Sequence, residues 1–202
     1  MKRIFIVFGH HNIKGSFNSQ IRDTFISEAE KQGHTIDLVN LFDEKEYLPF
    51  YNSNLNPPPK LVIDYRNRLE KCDIMFLIGS CNNLRLNSIL ENWVDWVLHP
   101  KWFFSYKSMM PNSSFFKNYG YTVPGAMKGK LGIVSITYGG PMISYFNFSI
   151  FDNIPYRRIK KAVFNLGGMK TKYIRFYSVL PGMSKKKFNS HMNRVKKLVR
   201  SL

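Results

Sequence analysis

The segment from Gly9 to Asn18 combines small, hydroxyl-bearing and histidine residues, and a predicted helix follows it. Free backbone N–H groups and the positive end of a helix dipole suit a phosphate or pyrophosphate group. The segment matches neither a P-loop nor a dinucleotide-binding glycine pattern. Ser16 fits equally well as an ordinary helix N-cap, and His10 and His11 as structural hydrogen-bonding residues. The residues therefore permit an anion site without requiring one.

A second candidate is the loop Thr137-Tyr138-Gly139-Gly140-Pro141, which directly follows a predicted strand. Adjacent glycines let backbone amides come close to a flat ligand, because no Cβ atom intervenes. A plain tight turn explains the same residues equally well. The loop is compatible with a flat ring and does not specify one.

Metal ligation and nucleophilic catalysis have little basis in the sequence. The five histidines are scattered, and neither Cys72 nor Cys81 has a neighbouring ligand at zinc spacing. No Ser-His-Asp arrangement rises above coincidence. We predict no metal site. The two cysteines lie near opposite ends of one predicted strand, too far apart for easy bridging, which predicts a reduced, cytoplasmic setting.

Strand-like and helix-like periodicities alternate along the chain, which is typical of βαβ units and a parallel sheet. The predicted strands are 4–8, 36–41, 73–79, 131–137 and 173–179. The predicted helices are 18–32, 60–71, 86–98 and 184–200. A further stretch at 145–166 is predicted to be mostly helical and broken near Pro155.

These elements predict one α/β domain over 1–202, a doubly wound five-stranded parallel sheet in the order 2-1-3-4-5. Ligands bind beyond the carboxyl ends of the strands in such sheets, at the point where the strand order reverses. The loops expected to form a site are therefore 9–17, 79–85 and 138–145. The remaining feature is a long irregular excursion at about 99–130, and a connection of that length is usually functional.

Positive charge is concentrated in the second half of the chain. The formal net charge is +17; residues 1–100 carry 11 Lys and Arg against 12 Asp and Glu, and residues 101–202 carry 19 against 1, which is Asp152. This basic half is either a solvated face or a surface that meets an anion. No apolar run is long enough to span a bilayer, which leaves peripheral membrane association as an option.

Six short motifs follow one another along the chain. They are a strand-one histidine with Ser16-Phe17-Asn18, then Ile89–Asp95, Pro100–Tyr106, Lys128-Gly129-Lys130, Thr137–Pro141 with Tyr145, and Phe164–Met169. In this order they resemble the NAD(P)H:quinone oxidoreductase family and the related bacterial drug-modulator and potassium-efflux ancillary proteins. The resemblance covers nearly the whole chain, and the ordered set is specific although no single motif is.

The resemblance implies a flavodoxin-like fold, a homodimer, and ping-pong hydride transfer from NAD(P)H through FAD or FMN to a quinone-like acceptor. The flavin phosphate region would be held by His11, Ser16, Phe17 and Asn18, with His10 competing for the family's histidine position. The flavin ring would be contacted by Ser80, Cys81, Asn82 and Asn83. Its polar edge would be bound by Thr137, Tyr138, Gly139 and Gly140. Tyr145 would be the catalytic residue that polarises the quinone or nicotinamide.

Two positions depart from the family pattern. Ser80-Cys81-Asn82-Asn83 stands where the family has a proline and two aromatics, and Phe151 stands where some members carry a histidine. The first departure motivates an alternative in which the protein has weakened or lost flavin binding and acts as a binding or regulatory protein. A third hypothesis, a nucleic-acid or anionic-surface binder, rests on Arg157–Lys161 and the basic last helix. We disfavour nucleic acid because no recognised module is visible. The basic excess would favour NADPH over NADH.

Overall fold

The computed structural model of the protein describes residues 1–145 and 154–202. The strands are β1 (Arg3–Gly9), β2 (Thr35–Asn40), β3 (Ile74–Asn82), β4 (Arg85–Leu86), β5 (Phe104–Ser108), β6 (Gly120–Pro124), β7 (Leu131–Thr137) and β8 (Lys170–Phe176). The helices are α1 (Phe17–Lys31), α2 (Lys60–Glu70), α3 (Ser88–Val97), α4 (Ile154–Arg157) and α5 (Lys185–Arg200), with a 3₁₀ turn at Met142–Tyr145 and a π-helical turn at Arg158–Phe164.

The main sheet has the order β2-β1-β3-β7-β8, and these five strands are parallel. Since β7 and β8 are the fourth and fifth predicted strands, the predicted flavodoxin-like order 2-1-3-4-5 is confirmed. The order reverses at β1, which pairs with β2 on one side and β3 on the other. The ends of β1 and β3 therefore define the switch point of the sheet.

Both faces of the sheet are covered, which explains why the first strand is apolar without alternation. Ile4, Ile6 and Phe8 pack in a cluster with residues of α1 and α5. Phe5 and Val7 pack in a second cluster with residues of α2 and α3. All five side chains are fully buried, and each stabilises the fold by about 1.5–3 kcal/mol.

Helix α1 begins at Phe17, one residue before the predicted start, because Ser16 caps it: the Ser16 side chain accepts a hydrogen bond from the Ser19 N–H at 3.0 Å. Gly33 follows its end in the left-handed region, with φ of +77°. Helix α5 is capped in the same way by Ser184, whose side chain accepts from the Lys187 N–H. These caps fix the two helices that cover one face of the sheet.

Strands β1 and β2 differ from their predicted bounds by one residue at each end, and two strands differ by three residues. Strand β3 runs three residues beyond the predicted end and turns back to pair with β4, so the predicted loop 79–85 is a short hairpin. Its turn places Asn83 and Leu84 at φ of 49° and 60°. Strand β8 covers 170–176 and not 173–179, because it pairs with β7 over that strand's whole length and the chain then leaves the sheet.

The segment 99–130 is not irregular throughout. Strands β5 and β6 form an antiparallel hairpin, with Phe104 opposite Pro124 and Ser108 opposite Gly120. Local periodicity missed these strands because both are short and mostly exposed.

Part of the predicted helical stretch, and Phe151 with it, lies outside the described residues. In the described part Pro155 lies within α4, and helical residues continue after it to Phe164. Among the residues that the structure describes, no helix could cross a membrane. The same residues contain no group of His, Cys, Asp and Glu that could hold a metal ion.

Candidate active site

The carboxyl ends of β1, β3 and β7 bring the loops that follow them to one edge of the sheet, which we call the carboxyl edge. A buried pair of side chains ties two of these loops together. The Asn18 amide donates to the Thr137 hydroxyl at 3.0 Å, and that oxygen lies 3.3 Å from the Asn18 amide oxygen. Asn18 starts α1 and Thr137 ends β7, so this pair fixes the helix N-terminus beside the glycine loop.

The first loop presents the open end of a helix. The first-turn N–H groups of α1, at Phe17 and Asn18, have no partner within the helix. The Ser16 side chain already makes two hydrogen bonds. Its oxygen accepts from the Ser19 N–H, and its hydroxyl donates to the Asn12 carbonyl at 2.7 Å. Gly15 has φ of +76°, and a Cβ atom there would meet nothing within 4 Å. Backbone N–H groups, and not the Ser16 hydroxyl, are therefore the donors that this loop can offer an anion.

Two of the predicted cofactor residues have their side chains in the core. The Phe17 ring packs edge-on against Phe176 and Phe188, between α1, β8 and α5. Tyr138 is fully buried, its N–H donates to the Phe176 carbonyl, and its carbonyl accepts from the Val179 N–H. Phe17 can thus reach a ligand only through its backbone N–H. Tyr138 packs in the core below the glycine loop and does not face a ligand.

The predicted catalytic residue is hydrogen-bonded to the glycine loop. Gly139 is exposed, and a Cβ atom there would meet nothing within 4 Å. The Gly140 N–H donates to the Tyr145 hydroxyl oxygen at 3.0 Å. The Tyr145 ring lies 4.5 Å from that of Tyr138 and 6.1 Å from that of Tyr177. These tilted ring contacts hold the Tyr145 hydroxyl at the carboxyl edge.

The third predicted loop is the β3–β4 hairpin. Ser80 lies 3.3 Å from the Asn82 side-chain oxygen, and Asn82 and Asn83 are exposed at the tip. Cys81 is half-buried and packs against the apolar cluster on the α2–α3 face. Burial raises the pKa of the Cys81 thiol, so this sulfur is a packing group and not an activated nucleophile.

Asn87, which the sequence did not single out, builds the switch point together with Gly9, Gly79 and Leu90. The Asn87 side chain donates to the carbonyl of Gly9, and its own oxygen is buried without a partner among the described residues. Leu90 fills the space above the strand ends: a Cβ atom on Gly9 or Gly79 would lie 2.2–2.3 Å from its carbons. The available signal was the residue type of Asn87, which is favoured at a helix N-cap and precedes α3 directly.

The Glu91 carboxylate ties the hairpin, α3 and the π-helical turn together. Glu91 is buried; it accepts from the Leu86 N–H at 2.9 Å, and Arg158 lies 2.5 Å away. Burial raises the pKa of Glu91, and the Arg158 guanidinium offsets part of that rise. The sequence placed Glu91 in a family motif but gave no indication of its partner, 67 positions away.

The two candidate histidines differ in their surroundings. His10 is half-buried, and the Asn12 N–H lies 3.2 Å from its Nδ1. Burial lowers the pKa of His10, which favours the neutral imidazole. His11 is exposed and stacks on His10 with ring centroids 4.6 Å apart. His11 is therefore the one that a ligand outside the loop can reach.

A sequence profile of the flavodoxin-like fold family matches residues 2–199. The chain belongs to this family. The match confirms the fold expected from the ordered motifs. No protein of curated function matches the sequence.

Solved structures agree with this membership in the flavodoxin-like family. A Streptococcus mutans protein has a TM-score of 0.78 at 18% identity, covering 99% of this chain and 100% of its own. An NAD(P)H:quinone oxidoreductase from Methanothermobacter marburgensis has a TM-score of 0.75 at 14% identity, covering 99% and 96%. An FMN-dependent NADH-azoreductase from Bacillus anthracis, in complex with FMN, has a TM-score of 0.71 at 16% identity, covering 100% and 99%. At these identities the likeness concerns the fold.

The carboxyl edge of this flavodoxin-like protein fits part of a flavin well. The open N-terminus of α1 and Gly15 suit its phosphate, and the bare backbone at Gly139 leaves room for a flat ring. The hairpin residues Ser80–Asn83 offer amide and hydroxyl groups but no aromatic face to stack on that ring. The residues therefore suit the phosphate and one edge of the ring.

Proposed function

We propose that the protein is a flavin-dependent NAD(P)H oxidoreductase that reduces quinones or similar two-electron acceptors by ping-pong hydride transfer. The observation that carries the proposal is the Asn18–Thr137 pair, which sets an open helix N-terminus beside an unobstructed glycine loop at the switch point. A phosphate donor site next to space for a flat ring is the arrangement that a flavin nucleotide requires.

A bound flavin, FAD or FMN, would supply the two-electron hydride chemistry that amino-acid side chains lack. The N–H groups of the first turn of α1 would hold its phosphate, with His11 and Lys14 nearby. The loop at Gly139 and Gly140 would face the polar edge of the ring, with the Gly139 backbone as its open group, because the Gly140 N–H donates to Tyr145 and the Gly140 carbonyl accepts from the Ser178 N–H. Tyr145 would orient the acceptor, since its hydroxyl oxygen accepts from Gly140 and its own hydrogen is not used in that bond.

Support for this chemistry comes from the neighbours' names, which include an NAD(P)H:quinone oxidoreductase and an FMN-dependent NADH-azoreductase. We further propose a homodimer and, because Cys72 and Cys81 are free thiols, a cytoplasmic protein. The basic excess favours NADPH as the electron donor. Equal turnover with NADH and NADPH would contradict that preference.

The first test is whether the purified protein retains FAD or FMN after incubation and removal of free flavin, followed by visible absorption. Calorimetry then compares FMN with riboflavin, which has the same ring and no phosphate. If the N-terminus of α1 holds the phosphate, FMN should bind about tenfold or more tightly than riboflavin. Equal affinities would contradict the assignment of the phosphate site.

A steric variant tests the ring position. Gly139→Val places a branched side chain where nothing lies within 4 Å, so the fold should persist while flavin binding is lost. Ala126→Val is the matched control, because it adds similar bulk at an exposed position away from the carboxyl edge. Thermal unfolding of both variants verifies that they are folded. Native flavin affinity in Gly139→Val would exclude this loop from the site.

A second function is favoured by the hairpin itself. Ser80–Asn83 lacks aromatic side chains, and the Gly140 N–H is already satisfied by Tyr145. A member of the family built in this way would keep the fold and serve as a binding or regulatory protein. Failure to retain either flavin in the first test would establish this alternative in preference to the enzyme.

A further inference from the structure

Arg22, in the second turn of α1, has a side chain that the protein encloses almost completely. It is 8% exposed, and a charged residue is buried to this degree only when its donors are satisfied. All three of its side-chain nitrogens make hydrogen bonds: Nε donates to Asp23 at 2.7 Å, Nη1 to the Asn40 side-chain oxygen at 3.2 Å, and Nη2 to the Ile13 carbonyl at 3.0 Å. The guanidinium also lies over the Phe8 ring, 4.6 Å from its centroid. It therefore binds the protein itself and is not an open site for a ligand.

The partners of Arg22 come from separate parts of the fold. Phe8 lies near the end of β1, Asn40 ends β2, and Ile13 lies in the first loop. Phe8 and Asn40 are opposite each other in the sheet, so they present a fixed surface to the guanidinium. The bond to Ile13 then ties the first loop to that surface. A guanidinium suits this task because its donors lie in a rigid planar fork.

The bond to Ile13 also fixes the direction of a backbone N–H group. In a trans peptide, the carbonyl of one residue and the N–H of the next point in opposite directions. The Ile13 carbonyl is turned towards Arg22, so the Lys14 N–H is turned to the other side of the loop. The Asn12 carbonyl, which accepts from the Ser16 hydroxyl, orients the Ile13 N–H in the same manner. Two carbonyl oxygens, which would repel an anion, are thus held on donors of the protein.

Such bonds matter because backbone N–H groups bind an anion well only when the loop that carries them is already ordered. A mobile loop loses conformational entropy when it orders around a ligand. The first loop has no regular secondary structure between β1 and α1, and Gly15 has φ of +76°, which few other residues adopt. Ser16 holds the end of the loop at the start of the helix, whereas Arg22 reaches the middle of the loop from the second turn.

We propose that Arg22 is a positioning residue for the flavin phosphate. It ties the first loop to β1 and β2 in the conformation that presents backbone N–H groups beside the open end of α1, and it does not touch the phosphate itself. This role rests on the proposed function, because it applies to the loop that would hold a flavin.

The test compares the affinities of FMN and riboflavin by calorimetry, since the two ligands differ by the phosphate alone. Arg22→Met should bring the two affinities to within about twofold of each other, from a ratio of about ten in the wild type, with riboflavin affinity unchanged. The matched control is Arg68→Met, which removes the same charge. Arg68 is also part-buried, bonds Asp37, and lies 5.0 Å from the Phe5 ring centroid. It stands near the C-terminal end of α2, away from the first loop, so the ratio should not change.

Two milder variants separate positioning from charge. Arg22→Lys keeps the positive charge, but one ammonium group cannot bond Ile13 and Asn40 with the geometry of the fork, so most of the ratio should be lost. Asn40→Ala removes one support of the guanidinium and should lower the ratio about threefold. Thermal unfolding verifies that each variant is folded at the temperature of the titration.

The outcomes distinguish this role from the proposed function. An unchanged ratio in Arg22→Met would overturn the role of Arg22 and leave the phosphate site intact. Equal losses of FMN and riboflavin affinity would also overturn it, because the arginine would then support the whole carboxyl edge. Full discrimination in Arg22→Lys would show that charge acts on the phosphate and that the fork does not matter. Equal binding of both ligands by the wild type would overturn the phosphate site itself, and the role of Arg22 with it.

Discussion

Asn18 and Thr137 are 119 positions apart in the sequence, yet their side chains share buried hydrogen bonds at the centre of the candidate site. Thr171, on the neighbouring strand β8, offers a contrast. Its hydroxyl oxygen is buried and has no hydrogen-bond partner among the described residues. The threonine hydroxyl therefore stabilises the fold at position 137 on β7 and destabilises it at position 171 on the adjacent strand β8.

Thr137→Val should destabilise the protein by about 1–3 kcal/mol, because it leaves the buried Asn18 amide without its partner. Thr171→Val should be neutral or slightly stabilising, since it removes a polar group that makes no bond. Urea denaturation of both variants measures the difference in the free energy of unfolding. Equal losses would show that the Asn18–Thr137 pair contributes no more than side-chain packing.

At the scale of elements, α3 lies directly against the ends of β1 and β3. Leu90 is fully buried at the contact, and only glycine at positions 9 and 79 lets the helix approach this closely. This close approach brings the Asn87 side chain to the Gly9 carbonyl. The hydrogen bond between them joins α3 to the end of β1 at the carboxyl edge.

Gly79→Ala should cost about 1–3 kcal/mol of stability, because its Cβ atom would lie 2.3 Å from a Leu90 methyl carbon. Gly139→Ala is the matched control: it sits at another strand end, meets nothing within 4 Å, and should change stability by less than about 0.5 kcal/mol. Thermal or urea unfolding measures both.

In a Leu90→Ala background the Gly79→Ala penalty should largely vanish, since the clash is with that side chain. Additive losses would place the strain elsewhere.

At the scale of the whole molecule, 30 basic residues against 13 acidic ones create substantial self-repulsion. Ion pairs such as Arg68–Asp37, at 2.5 Å, act in the opposite direction and are weakened by salt. Because surface ion pairs contribute little individually, repulsion in the basic half should dominate the salt dependence.

We therefore expect the melting temperature to rise by several degrees between low and moderate NaCl concentrations. Differential scanning calorimetry measures it. Choline chloride at the same ionic strength is the control, because screening does not depend on the identity of the cation. A melting temperature that falls with salt would mean that the ion pairs outweigh the net charge.

The sequence by itself determined the elements of the main sheet and their order. Each element was predicted from a local signal that involves only that element's own residues. These signals are buried runs such as Ile4–Phe8, N-caps such as Ser16 and Ser184, and the glycine after α1. The order 2-1-3-4-5 then follows, because the alternation of strands and helices restricts the sheet to few topologies.

Only the tertiary structure decided how the site is assembled. It extends β3 into a hairpin, turns Phe17 and Tyr138 into the core, and brings Tyr145 onto the Gly140 N–H. It also joins pairs such as Asn18–Thr137 and Glu91–Arg158. Local periodicity cannot predict these features. Each depends on which residue from a distant part of the sequence packs against, or forms a hydrogen bond with, the side chain or backbone group in question.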